Sequence, residues 1–244
     1  MKNQPLFRFA MMADTHIQGP ESAEILDRGF EAIQCLKRRP MFVIFGGDMT
    51  ESGEVGEYRV LLDTLQHLNL PYHTVVGNHD IGNSESREKY TRFLGPTNRS
   101  FEFMGVRFIF LDTNNADQDP EKWHGRAEEP VLNWVGCELD RLGGKTPILL
   151  FTHQGLVGNR EELECDVENA EVVLELFTGS NLLAGFAAHA HRFFKRRVGG
   201  VDFFVCPALS TSKGNFGGEP PGLLFVDVYR DWVRASLKLI TENP

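Results

Sequence analysis

The segment Leu6–His16 reads LFRFAMMADTH and joins an apolar run to a polar end. The apolar run, in which Arg8 is the one charged residue, predicts a buried strand over Leu6–Ala13. Side chains at the carboxyl end of such a strand face the crevice where α/β sheets commonly bind ligands. The segment therefore predicts an interior sheet and, directly after its first strand, the start of a binding site.

The same alternation continues outward from this segment. Helices are predicted over Ala23–Arg38 and Tyr58–Leu68, where apolar residues recur at roughly helical spacing, and strands over Met41–Phe45 and Tyr72–Val76. A strand-helix-strand-helix-strand order is typical of parallel strands joined by crossover helices. The first third of the chain therefore favours a parallel sheet.

The second half of the chain combines crossovers with antiparallel hairpins. Apolar runs on either side of Gly105 and of Gly199-Gly200 predict two hairpins, and residues 223–240 predict a third. The other elements predicted there are helices at Val131–Leu142 and Val172–Phe177 and strands at Pro147–Phe151 and Ala184–Ala188. The stretches predicted as loops are Gly82–Asn98, Asn114–Glu129, Gln154–Asp166 and Ser212–Pro221.

The pattern as a whole fits one domain over residues 1–244, without an internal repeat or a linker. We expect an α/β fold (α+β by some schemes), built as a four-layer α-β-β-α sandwich. Two mixed β-sheets would form the inner layers and helices would flank them. A chain of this length buries about 70% of its unfolded surface, so it needs neither disulfides nor a metal to fold.

The charge balance limits the partners that the chain can have. Its 25 Lys and Arg against 34 Asp and Glu give a formal net charge of −9. Such a balance is atypical of proteins with an extended nucleic-acid surface and of proteins held to anionic membranes by charge. No apolar run approaches the roughly 18 residues of a membrane span, so no membrane segment is predicted.

Cysteine usage favours a reducing compartment. The four cysteines, at positions 35, 137, 165 and 206, are far apart and form no C-x-x-C motif. Arg8 interrupts the apolar run near the start of the chain, which argues against a signal peptide. We therefore expect a cytoplasmic protein.

Five short polar motifs follow predicted strands. They are D-x-H at Asp14–His16, G-G-D at Gly46–Asp48, G-N-H-D at Gly77–Asp80, T-H at Thr152-His153 and H-x-H at His189–His191. In D-x-H and H-x-H, an extended backbone would point residues i and i+2 to the same side. The glycines before the aspartate and the asparagine allow tight turns. Carboxylate, amide and imidazole ligands without thiolates suit Mn, Fe or Zn.

In their order and combination, the five motifs resemble those of the calcineurin-like metallophosphoesterases, over Asp14–His191. The resemblance implies two di- or trivalent metal ions, with Mn or Fe favoured and Zn acceptable. It assigns the first ion to Asp14, His16, Asp48 and His191, and the second to Asp48, Asn78, His153 and His189. A hydroxide between the ions would attack phosphorus. His79 would face the scissile phosphate as a general acid, and Asp80 would orient His79 through a hydrogen bond.

Softer features resemble the class III cyclic-nucleotide phosphodiesterases of this superfamily. They are the compact chain, the segment Leu111–Asn114, Trp134 and the run Cys206–Ala208. Two positions depart from the family pattern: Ala188 stands where Gly is frequent, and His153-Gln154-Gly155 replaces His-x-Pro, which would loosen that loop. The residues predicted to contact substrate are Asn78, His79, His124 and Arg192.

Three functions follow from the sequence. The favoured one is hydrolysis of a cyclic nucleotide or another small phosphodiester. The second is a phosphomonoesterase, nuclease or phospholipid-headgroup hydrolase of the same fold. The third is a catalytically silent metal-binding scaffold, which the complete ligand set disfavours. A homodimer stays open, with Ser212–Pro221 as a candidate contact or pocket wall.

Overall fold

The computed structural model describes residues 4–81, 84–115, 124–158, 166–210 and 214–241. Its strands are β1 Phe7–Met12, β2 Val43–Phe45, β3 Tyr72–Thr74, β4 Arg99–Phe103, β5 Val106–Phe110, β6 Pro147–Phe151, β7 Asn181–Ala187, β8 Phe194–Val198, β9 Val201–Val205, β10 Gly222–Val228 and β11 Val233–Leu239. Its helices are α1 Pro20–Gln34, α2 Val55–Leu65, α3 Ser84–Leu94, α4 Glu129–Leu142 and α5 Ala170–Leu176, with a short 3-10 turn at Phe216–Gly218.

The strands form two mixed sheets. The first has the order β11-β10-β1-β2-β3, and the second has the order β4-β5-β6-β7-β9-β8. Strands β1, β2 and β3 are parallel, with Met11 opposite Ile44 and Ile44 opposite His73. The three predicted hairpins β4-β5, β8-β9 and β10-β11 are antiparallel. The predicted mixture of crossovers and hairpins is therefore confirmed.

Alternation along β1 defines the layers. Phe7, Phe9 and Met11 point to the second sheet, whereas Ala10 and Met12 pack against α1 and α2. On the outer face of the second sheet, apolar residues of α4 and α5 form a third cluster with those of β5 and β6. Both sheets are therefore covered by helices on their outer faces, which confirms the predicted four-layer sandwich.

The layer between the two sheets is a phenylalanine core. Phe9 is fully buried at its centre. Its ring centroid lies between 5.7 and 5.9 Å from those of Phe42, Phe108, Phe151 and Phe186. Because close-packed interiors transmit small displacements, this core fixes one sheet relative to the other.

Helix α3 lies where a loop was predicted. Its Tyr90 is fully buried and donates a hydrogen bond from its hydroxyl to Thr74 Oγ1, at 2.8 Å. Its Phe93 ring stacks on Tyr58 with centroids 5.1 Å apart. The polar sequence of α3 gives little helical periodicity, and these packing contacts stabilise the helix instead. The other predicted loops include residues 116–123, 159–165 and 211–213, which lie outside the described residues.

The described residues include five α-helices and three of the four cysteines. Within them, no helix combines the length and the apolar character that crossing a bilayer requires. Cys35, Cys137 and Cys206 are free thiols, and Cys165 lies outside the described residues. A single domain over residues 1–244 and a cytoplasmic location stay predictions.

Candidate metal centre

The five motifs meet at one rim of the sandwich, where β1, β2, β3, β6 and β7 end. Backbone hydrogen bonds join the loops there. Asp14 N donates to Gly47 O at 3.0 Å, and Ala188 N donates to His153 O at 2.9 Å. His189 N donates to Asp14 Oδ2 at 3.2 Å, which links a loop of the second sheet to a loop of the first.

Five predicted ligands have a left-handed backbone. Their φ angles are 52° at Asp14, 47° at His16, 49° at Asp48, 64° at His189 and 47° at His191. The expectation of an extended backbone in D-x-H and H-x-H is therefore wrong. An extended segment would continue past the rim, whereas left-handed residues turn each loop back and converge the side chains. This conformation is strained for residues other than glycine, and such strain concentrates at functional sites.

Glycine is required at two places in these loops. Gly47 has φ of +100°, which residues with a side chain rarely adopt. A Cβ at Gly77 would overlap the Asp48 carboxylate. The positive φ of Gly47 fits the predicted turn before the aspartate, whereas Gly77 allows its loop to approach Asp48 closely.

The first ligand group consists of Asp14, His16 and His191. One ligand atom of each lies within 4.8 Å of the others. The Nε2 atoms of His16 and His191 are 3.2 Å apart, and His191 Nε2 is 3.4 Å from Asp14 Oδ1. This is the set that the resemblance assigns to the first ion, apart from the shared Asp48.

The second group consists of Asp48, His153 and His189, again within 4.8 Å. His153 Nε2 is 3.1 Å from Asp48 Oδ2. The same carboxylate oxygen is 4.0 Å from Nε2 of His16, a member of the first group. Asp48 therefore lies between the two groups, in the place that a bridging ligand requires.

Two buried oxygens indicate that the centre is built for cations. Asp14 Oδ1 and Asn78 Oδ1 are buried, and among the described residues neither has a hydrogen-bond partner. Buried polar atoms in proteins are nearly always paired, so an unpaired carboxylate oxygen and amide oxygen at one site call for a ligand. Oxygen and imidazole donors fit Mn, Fe or Zn, and the residues present therefore fit two such ions.

Nearby histidines keep the carboxylates of Asp14 and Asp48 ionised. Burial alone would raise the pKa of Asp48, but His153 and His16 outweigh it and lower that pKa. Burial would likewise raise the pKa of Asp14, but the nearby His191, with Nε2 at 3.4 Å from Asp14 Oδ1, outweighs it and lowers that pKa. His153 has a pKa raised to about 10, because Asp48 and Asp14 outweigh its burial. A metal bound at the second position would therefore have to displace this proton.

Contacts made by Nδ1 orient three of the imidazoles. His153 Nδ1 donates to Gly46 O at 2.8 Å, and His191 Nδ1 donates to Gly214 O at 3.0 Å. His16 Nδ1 lies 2.9 Å from Glu51 Oε2. In each ring, Nε2 is left for the centre, which is how outer residues commonly hold metal-binding histidines. Glu51 was missed at the sequence level.

His79 lies at the edge of the centre. Its ring centroid is 4.7 Å from that of His16, and its side chain is 33% exposed. Its Nδ1 donates to Glu51 O at 2.8 Å, and its backbone N donates to Asp48 Oδ1 at 2.8 Å. The ring is therefore fixed beside the ligand groups and accessible from outside, as a residue facing substrate requires.

Asp80 does not orient His79 through the predicted hydrogen bond. Its buried carboxylate accepts hydrogen bonds from the backbone of Met49, Thr50 and Gly77, at 2.9 to 3.0 Å. Both oxygens are occupied by these loops, while His79 bonds to Glu51 instead. Burial and the nearby Asp48 raise the pKa of Asp80 to about 6. Asp80 thus joins the loops that carry Asp48 and Asn78, and its catalytic role stays a prediction.

Two predicted substrate residues lie outside the ligand groups. Arg192 follows His191 directly, and its guanidinium carbon is 5.8 Å from the centroid of the Phe194 ring. The carbonyl of His124 accepts a hydrogen bond from Asn115 Nδ2 at 3.0 Å. Their contacts with substrate stay predictions.

Comparison with known proteins gives one family match. The model of the family described as "Calcineurin-like phosphoesterase" matches residues 7–193. A curated relative, the probable glycerophosphodiester phosphodiesterase GpdQ of Arcobacter nitrofigilis, is 29% identical over 169 residues. The match covers 66% of this chain and 60% of that protein. This chain thus spans under two thirds of that relative's length.

A second relative covers more of the chain. The cAMP/cGMP dual specificity phosphodiesterase of Mycobacterium tuberculosis is 24% identical over 262 residues, with 96% of this chain and 80% of that protein covered. Among solved structures, the purple acid phosphatase from yellow lupin seeds has a TM-score of 0.74 at 11% identity, covering 98% of this chain and 52% of that one. This last similarity supports the fold.

Proposed function

The chain belongs to the calcineurin-like phosphoesterase family, and we propose that it is a metal-dependent phosphodiesterase acting on a small phosphodiester. The observation that carries this proposal is the position of Asp48 between two complete ligand groups. Cyclic nucleotides and glycerophosphodiesters are the substrate classes favoured, since relatives named for both match the chain.

The residues divide between two metal positions. Asp14, His16, Asp48 and His191 would hold the first ion. Asp48, Asn78, His153 and His189 would hold the second. Two bound ions of this kind supply an activated water and Lewis acidity toward phosphate oxygens. Mn or Fe fits this ligand set best, and Zn is accepted by similar ligands.

The chain itself supplies the general acid. Because His79 Nδ1 donates to the Glu51 carbonyl, Nε2 is the atom left to face the substrate. A protonated His79 can donate its Nε2 proton to the alkoxide that leaves phosphorus. Such a transfer contributes about 10²- to 10⁴-fold to rate.

The alternatives predict different substrates. A phosphomonoesterase, nuclease or phospholipid-headgroup hydrolase would use the same centre. A silent scaffold would bind metal without turnover, and the retention of every ligand and of His79 supports an enzyme over a scaffold. A cytoplasmic location and a homodimer are further predictions of the sequence.

A substrate panel tests the proposal. The full chain is treated with chelator, reloaded with Mn²⁺ and assayed on bis(p-nitrophenyl) phosphate, p-nitrophenyl phosphate, cyclic nucleotides and glycerophosphodiesters. We expect diester hydrolysis that EDTA abolishes and Mn²⁺ restores. Turnover of monoesters alone would contradict a phosphodiesterase. A chain that binds Mn²⁺ and hydrolyses nothing would support the scaffold.

A further inference from the structure

Gln154 and Asn114 form a buried pair of amides beside the centre. Gln154 is 1% exposed and Asn114 is 3% exposed. Gln154 Nε2 donates to Asn114 Oδ1 at 2.8 Å, and the Thr113 hydroxyl donates to Gln154 Oε1 at 2.5 Å. Breaking a buried hydrogen bond leaves an unsatisfied polar group in the interior, so the pair is held firmly. Neither residue was predicted as a ligand.

The pair connects two loops that carry ligands of the second metal position. Gln154 directly follows His153 in the chain. Asn114 Nδ2 donates to the carbonyl of Val76 at 3.3 Å, two residues before Asn78. The hydrogen bonds therefore run without a break from the Asn78 loop to the His153 loop.

Asp112 fixes the orientation of the Asn114 side chain. Asp112 Oδ1 accepts hydrogen bonds from both the backbone N and Nδ2 of Asn114, each at 3.0 Å. The other oxygen of Asp112 is paired with Arg87 of α3. The amide of Asn114 is thus fixed in orientation, and it presents Oδ1 to Gln154.

The loop at Gln154 differs from the sequence expectation. Lack of the proline typical of the family predicted a looser loop at residues 153–155. Instead, Gln154 accepts a hydrogen bond from the Thr152 hydroxyl at its carbonyl, at 2.7 Å, and Gly155 N donates to Asp166 Oδ2 at 3.0 Å. Side-chain hydrogen bonds therefore supply the restraint.

The first metal position is held by other contacts. His16 is oriented by Glu51, and His191 is oriented by the carbonyl of Gly214. Among the described residues, the hydrogen bonds of the Gln154 and Asn114 side chains reach neither of these histidines.

We propose that Gln154 and Asn114 are positioning residues for the second metal position. They set the separation of the Asn78 and His153 loops, and through it the affinity of that position for its ion. The first position does not depend on them. The inference rests on the proposed dinuclear centre, but it concerns metal affinity and needs no particular substrate.

The test separates the two positions with ligand variants. Full-length His191→Ala retains the second group intact, and His189→Ala retains the first. Gln154→Met, which keeps the side-chain size and removes the amide, is added to each background. Mn²⁺ binding to chelator-treated protein is measured by calorimetry and by electron paramagnetic resonance. Outer residues of this kind change metal affinity by about 10- to 100-fold. We expect Gln154→Met to lower Mn²⁺ affinity by that factor in the His191→Ala background. In the His189→Ala background it should leave Mn²⁺ affinity unchanged.

A second variant and a matched control guard against a general loss of structure. Asn114→Leu should repeat the pattern of Gln154→Met. Asn169→Leu removes an amide that bridges to the Ala127 backbone at 3.0 and 2.9 Å, and it should leave both affinities unchanged. Equal weakening in both backgrounds, or none with His191→Ala, would overturn the inference. If the parent binds two Mn²⁺ ions but hydrolyses no diester, the proposed function is wrong. The inference about Gln154 and Asn114 would still stand.

Discussion

Glu51 is the residue that connects a predicted ligand to the predicted general acid. Its carboxylate lies 2.9 Å from His16 Nδ1, and its carbonyl accepts the hydrogen bond from His79 Nδ1. Motif spacing gave no sign of this role, because it depends on the path of the loop after Asp48. That the predicted ligands would meet at one rim was predictable, since each follows a strand and carries a metal-binding group.

His79→Ala should separate metal binding from turnover. The variant keeps every predicted ligand and loses the proton donor, so we expect two bound Mn²⁺ ions and turnover reduced by about 10²- to 10⁴-fold. Metal content and kcat on bis(p-nitrophenyl) phosphate are measured together. His67→Ala, at an exposed histidine paired with Asp27, is the control. Normal turnover in His79→Ala would refute the catalytic role.

Asp48→Asn should weaken both metal positions at once. The substitution keeps the size of the side chain but removes the charge that both metal positions would share, so we expect Mn²⁺ affinity at both positions to fall by at least the roughly 10- to 100-fold that loss of an outer residue costs. Equilibrium dialysis followed by elemental analysis measures the bound ions. Asp27→Asn, at an exposed aspartate, should bind two ions as the parent does. Loss of a single ion in Asp48→Asn would show that Asp48 does not bridge.

At the scale of single elements, the sequence predicted those elements whose apolar residues are periodic. The predicted elements include the parallel strands β1 to β3, the helices α1 and α2 between them, and the three hairpins. Their observed ends are shifted by a few residues. Helix α3 was missed because polar residues dominate it and its buried Tyr90 gains its partner from β3. Its contacts lie far along the chain, which local patterns do not encode.

Because of His73 in strand β3, we expect the free energy of unfolding to depend on pH. Burial, with Arg99 nearby, lowers the pKa of His73 to about 4. Its ring stacks on Phe101 with centroids 3.9 Å apart. In the unfolded chain a histidine takes up its proton near pH 6.5. Acidification from about pH 6.5 to 4 therefore protonates the unfolded state first and lowers the free energy of unfolding.

His73→Phe should reduce this loss. The phenyl ring can stack on Phe101 and cannot be protonated, so the variant should lose less stability than the parent between pH 7 and pH 4. Urea unfolding at a series of pH values measures the difference. Parallel curves for parent and variant would mean that His73 takes up its proton equally in both states.

At the scale of the whole molecule, the seven predicted ligands are divided between the sheets. Four follow strands of the first sheet: Asp14, His16, Asp48 and Asn78. Three follow strands of the second: His153, His189 and His191. The order of the motifs predicted that they share a site. How the sheets are placed against each other depends on side-chain packing, which a single sequence does not reveal.

Phe9→Ala should test the core that joins the sheets. Removing a fully buried ring among four other phenylalanines should lower the free energy of unfolding by about 3 to 5 kcal/mol. Urea unfolding without metal measures the effect of packing alone. Met41→Ala, at a side chain that is 53% exposed, is the control and should change stability little. If Phe9→Ala lowers the free energy of unfolding by less than about 1 kcal/mol, the neighbouring side chains must repack to fill the cavity.

The phenylalanine core also bears on how enzymes of this architecture diversify. Both the Asp14, His16 and His191 group and the Asp48, His153 and His189 group take members from both sheets, so a shift of one sheet changes the geometry at the rim. A displacement of about 1 Å at reacting groups can lower a rate by about 100-fold. Substitutions around Phe9 and Phe151, which are buried between the sheets, can therefore adjust the geometry of the rim from a distance. Directed libraries aimed at new substrates should include these interior positions as well as the loops of the rim.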